Sequence, residues 1–555
     1  MPGKPSPLSS KSGRPCFSVA EGKSMDWNFG DLLDATAANV PGDRPAIIRG
    51  DRVVEWGDFD ARTNRLARAM LAAGLPTGAR VAILARNIPE FIEIAAAAFK
   101  ARLAHVNLNY RYTTSEIEYV LRDCQAAAIF YQDEFAPVVA PLINGSIDHL
   151  SYAVQIGDGG AYDDIVTIGD PEPLGIERSP DDGYLLYTGG TTGRPKGVMW
   201  RAADARQTQL ESPVAVTSPA SMDDHVAQVL AGRAGRVMPA CPLMHGAGLT
   251  SSLAELLIGG TVVLLPSNRF SALELWEEAS RNRVTRILIV GDAFARPMAD
   301  TLAANRERWN LDSLRLISSG GLMWSQQVKE ALLEALPGIT LLDTLGASEA
   351  SGFGYAITTK DRATPTGLFE PAPHTVLIDP DRDRVLGSDE AGKGWLARRP
   401  PFASGYHGDP VKTASVYRII DGERLAVPGD MAERLPDGRL RLLGRDSMCV
   451  NTGGEKVFVE EVEEALKRVN GVADAMVFGL PDPKWGSVVT ALIEAGPSPD
   501  DEVIRTALSH DLAAYKQPRT IIRVAVLPRH ANGKSDYRTG MEIAQRQIAT
   551  GPSAD

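Results

Sequence analysis

The residues from Tyr187 to Trp200, YTGGTTGRPKGVMW, carry the strongest chemical signal in the chain. Thr188, Gly189, Gly190, Thr191, Thr192, Gly193 and Lys196 fall within nine residues, between the apolar runs GYLLY and GVMW. Glycines let a backbone approach an anion closely, hydroxyls and amides donate to its oxygens, and a lysine supplies charge. That combination suits a polyphosphate cradle. It is not a Walker loop, because Pro195 precedes Lys196 where GxxxxGKS/T requires glycine, and an extended run follows where a helix should. By composition alone the stretch also fits a Gly/Thr-rich hairpin turn with an exposed lysine. His245 follows an apolar stretch and precedes Gly246 and Gly248, yet a lone histidine is more often structural than catalytic. The eight histidines form no HExxH pair and no GxSxG elbow occurs, so no zinc-protease or hydrolase constellation competes.

Such residues need elements to position them. Between Ser271 and Asp343 a helical ALELWEEASRNR, an apolar RILIVGDA, a helical SQQVKEALLEAL and an apolar ITLLD alternate. An earlier alternation runs from RVAILAR through the Ala-rich PEFIEIAAAAFKARLA to HVNLNY. Both patterns predict crossover units with parallel strands buried on two faces. From Gly394 to Gly444 shorter segments and turns such as LPDGRLRLLGRD predict a small antiparallel β region. After Asp446, Phe458, Val462, Ala465, Leu466 and Val469 share one helical face, followed by a strand AMVFGL, a second helix and a strand TIIRVAVL. The expected fold class is therefore α/β: a flexible tail over 1–24, a large multi-subdomain body over 25–445, and a small α+β lobe over 446–555.

Composition narrows the function. The chain has 555 residues, with 58 Lys plus Arg against 70 Asp plus Glu and a formal net charge of −12. A basic field for nucleic acid is absent, although a local pocket for one small anion remains open. Cys16, Cys124, Cys241 and Cys449 are scattered without a CxxC pair, which fits neither a disulfide framework nor a zinc cage and points to a reducing cytoplasm. The N-terminal Pro/Ser/Gly-rich stretch lacks the apolar core of a signal peptide. The nearly apolar run Ala254 to Pro266 is too short for a bilayer span.

The Tyr187 loop resembles the signature of the adenylate-forming superfamily, which includes acyl-CoA synthetases, firefly-type luciferases and nonribosomal adenylation domains. Further matches follow in the family's order: PLMHGAG around His245, DTLGASEAS around Glu349, VPGD ending in Asp430, LLGRDSMCVNTGGEKVFVEEVE from Leu442, and LPRHANGKSDYR with Lys534. The resemblance implies ATP, Mg²⁺ and coenzyme A as cofactors and a carboxylic acid as substrate. Lys534 and Glu349 would be catalytic, Lys534 neutralising α-phosphate and carboxylate oxygens and Glu349 holding the metal. His245 would border the acyl pocket. Nucleotide contacts would come from the Thr188, Gly189, Gly190, Thr191, Thr192 and Lys196 loop, and from Gly320, Gly321, Asp343, Leu345, Gly346 and Ser348. Asp430 would take the ribose hydroxyls, Arg445 would approach ribose or phosphate, Asp446 would be the hinge of a mobile lobe, and Gly453 and Gly454 would line the pantetheine tunnel.

Leu345 stands where many relatives carry an aromatic that stacks on adenine, and the Gly320–Met323 segment is bulkier than the common Gly-Ala-Pro version. Val459 replaces a frequent helix-initiating proline. These departures, with the GGEKV stretch, resemble a bacterial subgroup activating bulky or polycyclic acids. The expected activity is an AMP-forming acid:CoA ligase. Its rivals are an enzyme performing mainly the thioester half-reaction on preformed acyl-adenylate, a luciferase-like oxidase and a non-catalytic adenylate-binding module. No nucleic acid and no membrane are expected as partners, and a homodimer is open.

Overall fold

The computed structural model describes residues 27–145, 147–157, 160–188, 195–305, 307–322, 324–445, 449–452, 455–482, 486–512, 514–530 and 535–550. Two sheets make the body. In the larger, the strands Pro45–Arg49, Thr261–Leu264, Arg236–Pro239, Arg286–Ile289, Leu316–Gly320 and Thr340–Leu345 lie parallel in that spatial order. Beyond Thr340–Leu345 the sheet turns antiparallel, through Gly354–Thr358, Leu368–Pro371, Leu440–Arg445, Asp430–Arg434 and Gly392–Arg398. The second sheet runs Gly405–Tyr406, Lys196–Arg201, Gly183–Thr188, Ala104–Asn107, Arg80–Leu84, Ala126–Gln132 and Tyr152–Ile156.

The predicted alternations are present. Pro89–Lys100 is a helix started by proline, and every one of its residues is buried, because its run of alanines lets neighbouring elements approach closely. Its lysine ends in a charge cluster rather than in water: Lys100 Nζ lies 2.5 Å from Asp60 and 3.1 Å from Asp34. Ser271 caps the helix Ala272–Arg281, whose Leu275, Trp276 and Ala279 face the core. The structure adds two elements to this stretch, the helix Asp292–Ala304 and the strand Leu316–Gly320. Pro297 inside the helix and Ser318, Ser319 and Gly320 in the strand conceal them from pattern reading.

The small antiparallel region appears as expected, with Asp437 and Gly438 at the turn between Asp430–Arg434 and Leu440–Arg445; Gly438 has φ +88°, a conformation that favours glycine. The C-terminal lobe has its own sheet of Glu455–Phe458, Cys449–Thr452, Gly486–Ala495, Val472–Asp482 and Thr520–Val524. Gly486–Ala495 was missing from the predicted order. It pairs antiparallel with Val472–Asp482 and parallel with Thr520–Val524, and its faces enter two cores, Val489, Ala491 and Ile493 in one and Leu492 in the other, so it lacks the alternation of a half-exposed strand. Two cores, one around Val462, Leu466 and Ile493 and one around Met476, Leu492 and Ala544, draw only on lobe residues. The lobe meets the body where Phe458 packs on Met431 and Leu443, and where Gly444 lies against Glu460. Cys124 and Cys241 are buried free thiols pushed up to about 12 by desolvation, which suits packing rather than nucleophilic work. Among the described residues no helix is long and apolar enough to cross a membrane.

Candidate active site

The carboxyl ends of parallel strands in an open α/β sheet are where such folds bind ligands. Here the ends of Leu316–Gly320 and Thr340–Leu345 lie side by side, with Ser319 opposite Asp343 and Gly320 opposite Thr344. Thr344 Oγ1 donates to Ser319 O at 2.9 Å, and a Cβ on Gly320 would come within 2.5 Å of that hydroxyl, so glycine is required for this approach. Gly321 has φ +86° and open space on its side-chain face. Asp343 is committed elsewhere: it is buried in an ion pair with Lys329 at 2.9 Å, and desolvation raises its pKa. Leu345 leans on the body core, and its carbonyl accepts from Phe353 N at 2.8 Å.

Glu349 follows in a loop stitched to the second sheet. Tyr406 donates its hydroxyl to Glu349 Oε1 at 2.5 Å, and Ala403 N and Tyr417 OH donate to the Glu349 carbonyl at 3.1 and 3.2 Å. Trp200 Nε1 donates to Ser348 O at 2.9 Å. Tyr406 pairs with Val198 in the strand that begins at Lys196, and Lys196 in turn pairs with Thr188 across the hairpin. The strands on either side of the Gly/Thr-rich stretch and the Glu349 carboxylate therefore share one neighbourhood. The extended run after the loop is the strand Lys196–Arg201, as its sequence indicated.

Lys196 itself has a partner that pattern reading did not supply. Its Nζ lies 2.5 Å from Asp409 Oδ2, and this ammonium together with the Lys412 N–H holds the Asp409 carboxyl below its usual range. Beside Pro195 a cleft of about 860 Å³ is lined by Tyr119, Arg122 and the carboxylates Glu116, Glu118 and Asp123.

His245 precedes the helix Gly246–Leu256 and is half-buried. Asn87 clamps its loop, accepting from Leu243 N at 2.8 Å and donating to Cys241 O at 3.0 Å. A Cβ on Gly248 would meet Pro242 O at 2.6 Å, which explains glycine there. Asp430 and Arg445 are direct cross-strand partners. Thr188 ends the strand Gly183–Thr188. Gly189, Gly190, Thr191, Thr192, Asp446, Gly453, Gly454 and Lys534, and the side chain of Arg445, lie outside the described residues. Among the described residues there is no group of three or more His, Cys, Asp or Glu able to cage a metal.

A two-sheet body with a Gly/Thr hairpin beside a glutamate loop, followed by a separate α+β lobe, defines a class of nucleotide-using enzymes. The AMP-binding enzyme family matches residues 33–407 and its C-terminal domain matches residues 461–534; the chain belongs to this family. It is 37% identical over 541 residues to a medium-chain acyl-CoA ligase of Mycobacterium avium, covering 92% of this chain and 97% of that one. It is 34% identical over 536 residues to a 3-oxocholest-4-en-26-oate–CoA ligase of Rhodococcus rhodochrous, covering 93% and 95%. In fold it is similar to ATP-bound MatB from Rhodopseudomonas palustris, with TM-score 0.79 and 23% identity, covering 94% of this chain and 99% of that chain.

Proposed function

We propose that the protein is an AMP-forming acid:CoA ligase. The observation that carries this reading is end-to-end similarity to acyl-CoA ligases at 34–37% identity. A carboxylate oxygen of the acid attacks the α-phosphorus of ATP and pyrophosphate leaves, giving acyl-AMP. The thiolate of CoA then attacks the acyl carbon and AMP leaves. Both partners of the first step are anions, so positive charge and aimed donors must lower the barrier. Lys534 supplies that charge from the lobe, and the hairpin from Thr188 to Lys196 supplies donors. Gly320, Gly321 and the backbone from Asp343 to Gly346 bound the adenine, while Asp430 accepts from the ribose hydroxyls. The Glu349 carboxylate fits a Mg²⁺ ion, which takes one or two protein carboxylates and fills its remaining positions with phosphate oxygens and water. When bound, that ion screens the phosphate charge. Tyr406 keeps the Glu349 carboxylate oriented.

Asp446 serves as the hinge about which the lobe presents first Lys534 and then the Gly453 and Gly454 segment to the same cleft. The acids named for the relatives, medium-chain fatty and steroid side-chain acids, are the first to test here, in keeping with a preference for bulky acids. A cytoplasmic location and a homodimer belong to the same reading, the latter checked by light scattering.

One observation favours a second reading. Leu345 packs against the core instead of offering an aromatic face to adenine, which weakens adenylation relative to thioester formation. The test pairs acid-dependent ATP–pyrophosphate exchange with CoA thioester formation from synthetic acyl-adenylates. Activity in both establishes the ligase; thioester formation without exchange selects the second reading; silence in both over a broad acid panel defeats both.

A further inference from the structure

One short segment of the chain reaches two charged side chains of the site. Gly405–Tyr406 pairs with the strand Lys196–Arg201, and His407 N donates to Gly197 O at 2.8 Å. From this segment Tyr406 donates to Glu349, and three residues later Asp409 Oδ2 meets Lys196 Nζ at 2.5 Å. Gly408, with φ +66°, turns the chain between them. Asp409 is fixed from its own side. Its Oδ1 accepts from Lys412 N at 2.8 Å and so caps the helix Pro410–Val416, its carbonyl accepts from Thr413 Oγ1 at 2.8 Å, and the same Oγ1 accepts from Tyr406 N at 2.9 Å. Lys196 carries its charge on a flexible four-carbon stem, so in this pair the carboxylate is the fixed member and the ammonium the guided one.

Strand alternation decides on which side of the sheet the pair lies. Val198 and Trp200 enter the core that also holds Ala350, next to Glu349, whereas Met199 between them packs against the core on the opposite face. Lys196, two residues before Val198, shares the Glu349 face with its cross-strand partner Thr188. Tyr406, directly across from Val198, reaches Glu349 from that same face. Asp409 therefore holds the ammonium on the side of the hairpin where Glu349 stands. The Lys196 side chain is 42% exposed and that of Asp409 32%, so the ammonium is open to an incoming anion and keeps N–H donors beyond the one that Asp409 takes.

We propose that Asp409 is a positioning residue for adenylation, which aims the Lys196 ammonium at the phosphates of ATP. The inference rests on the ligase reading. Asp409→Asn tests it, because the amide removes the charge yet keeps an oxygen for Lys412 N–H, so the helix stays capped. This variant is expected to lower kcat/KM for ATP in acid-dependent pyrophosphate exchange by roughly three- to tenfold, as a lysine released to wander predicts. Thioester formation from synthetic acyl-AMP should stay near the wild-type rate, since acyl-AMP has lost the β- and γ-phosphates and their charge. Calorimetric affinity for ATP separates guidance from a merely structural role: Asp409→Asn should weaken binding in the wild-type background and leave it unchanged in Lys196→Met. Unchanged or improved exchange in Asp409→Asn, equal losses in the two reactions, or the same loss of affinity with and without Lys196 overturns the inference and leaves the ligase reading standing. A wild type silent in both reactions over a broad acid panel defeats the ligase reading, and this inference with it.

Discussion

The proposed nucleotide site places Leu345 beside the adenine of ATP. Its neighbours, Gly320 opposite Thr344 and Gly321 in open space, preserve room for a flat base, but a leucine resting on the core gives that base dispersion contact without an aromatic face. Aromatic stacking adds about 0.5–1.5 kcal/mol beyond area burial. Leu345→Tyr is therefore expected to lower the KM for ATP by roughly two- to tenfold in pyrophosphate exchange, and the KM for acyl-AMP, which carries the same adenine, by a similar factor in thioester formation. Steady-state kinetics of the two reactions check this; an unchanged or higher KM for ATP shows that the residue does not face the base.

Elements, rather than single residues, hold the walls of the site in place. The strand Thr340–Leu345 is anchored to the helix Gln326–Ala335 by the buried Lys329–Asp343 pair, with the Lys329 ammonium 5.7 Å from the Trp324 ring centroid. Removing one partner of a buried pair leaves an uncompensated charge and costs about 3–5 kcal/mol, whereas replacing both with apolar groups is often near neutral. Lys329→Met should accordingly lower denaturant stability by that order, and Lys329→Met with Asp343→Leu should recover most of it. In the lobe, Glu463 is half-buried on the helix Val459–Lys467 and accepts from Val477 N at 2.8 Å and Tyr537 OH at 2.9 Å. Desolvation, joined by the Glu460 charge and opposed by the Val477 N–H, Lys467 and the Tyr537 hydroxyl, raises its pKa to about 8. A carboxyl raised in the fold contributes stability below its unfolded pKa of about 4.3 and loses it as pH climbs through about 8. Between those limits the lobe should weaken with rising pH, and Glu463→Gln should flatten the dependence in urea titrations followed by circular dichroism.

At the scale of the whole molecule, the separate cores of the lobe suit a unit that reorients as one piece. The lobe's two proposed presentations then make its mutations separable by reaction. Lys534→Ala is expected to depress pyrophosphate exchange by roughly 10²–10³-fold, the loss typical of removing one preorganised charge donor, with thioester formation from acyl-AMP near the wild-type rate. Equal losses in both reactions would show that Lys534 serves the lobe's structure instead.

Much of the chemistry was legible in the primary structure because it is local. A hydroxyl- and glycine-rich turn, its lysine and the strand that follows are specified within fourteen residues, from Tyr187 to Trp200. The α/β body and the lobe were legible too, since burial on two faces writes continuous apolar runs between amphipathic helices. Where a strand contained serine and glycine, as in Leu316–Gly320, or an apolar run paired on both sides, as in Gly486–Ala495, periodicity carried no signal. Tertiary structure alone decided which residues meet. Tyr406 reaches Glu349 across 57 positions and Asp409 reaches Lys196 across 213, and Asp430 faces Arg445 only because a register shift between Met431 and Ala432 aligns them. Side-chain types and spacing determine what a segment is able to do, but sheet register and helix packing determine what stands beside it.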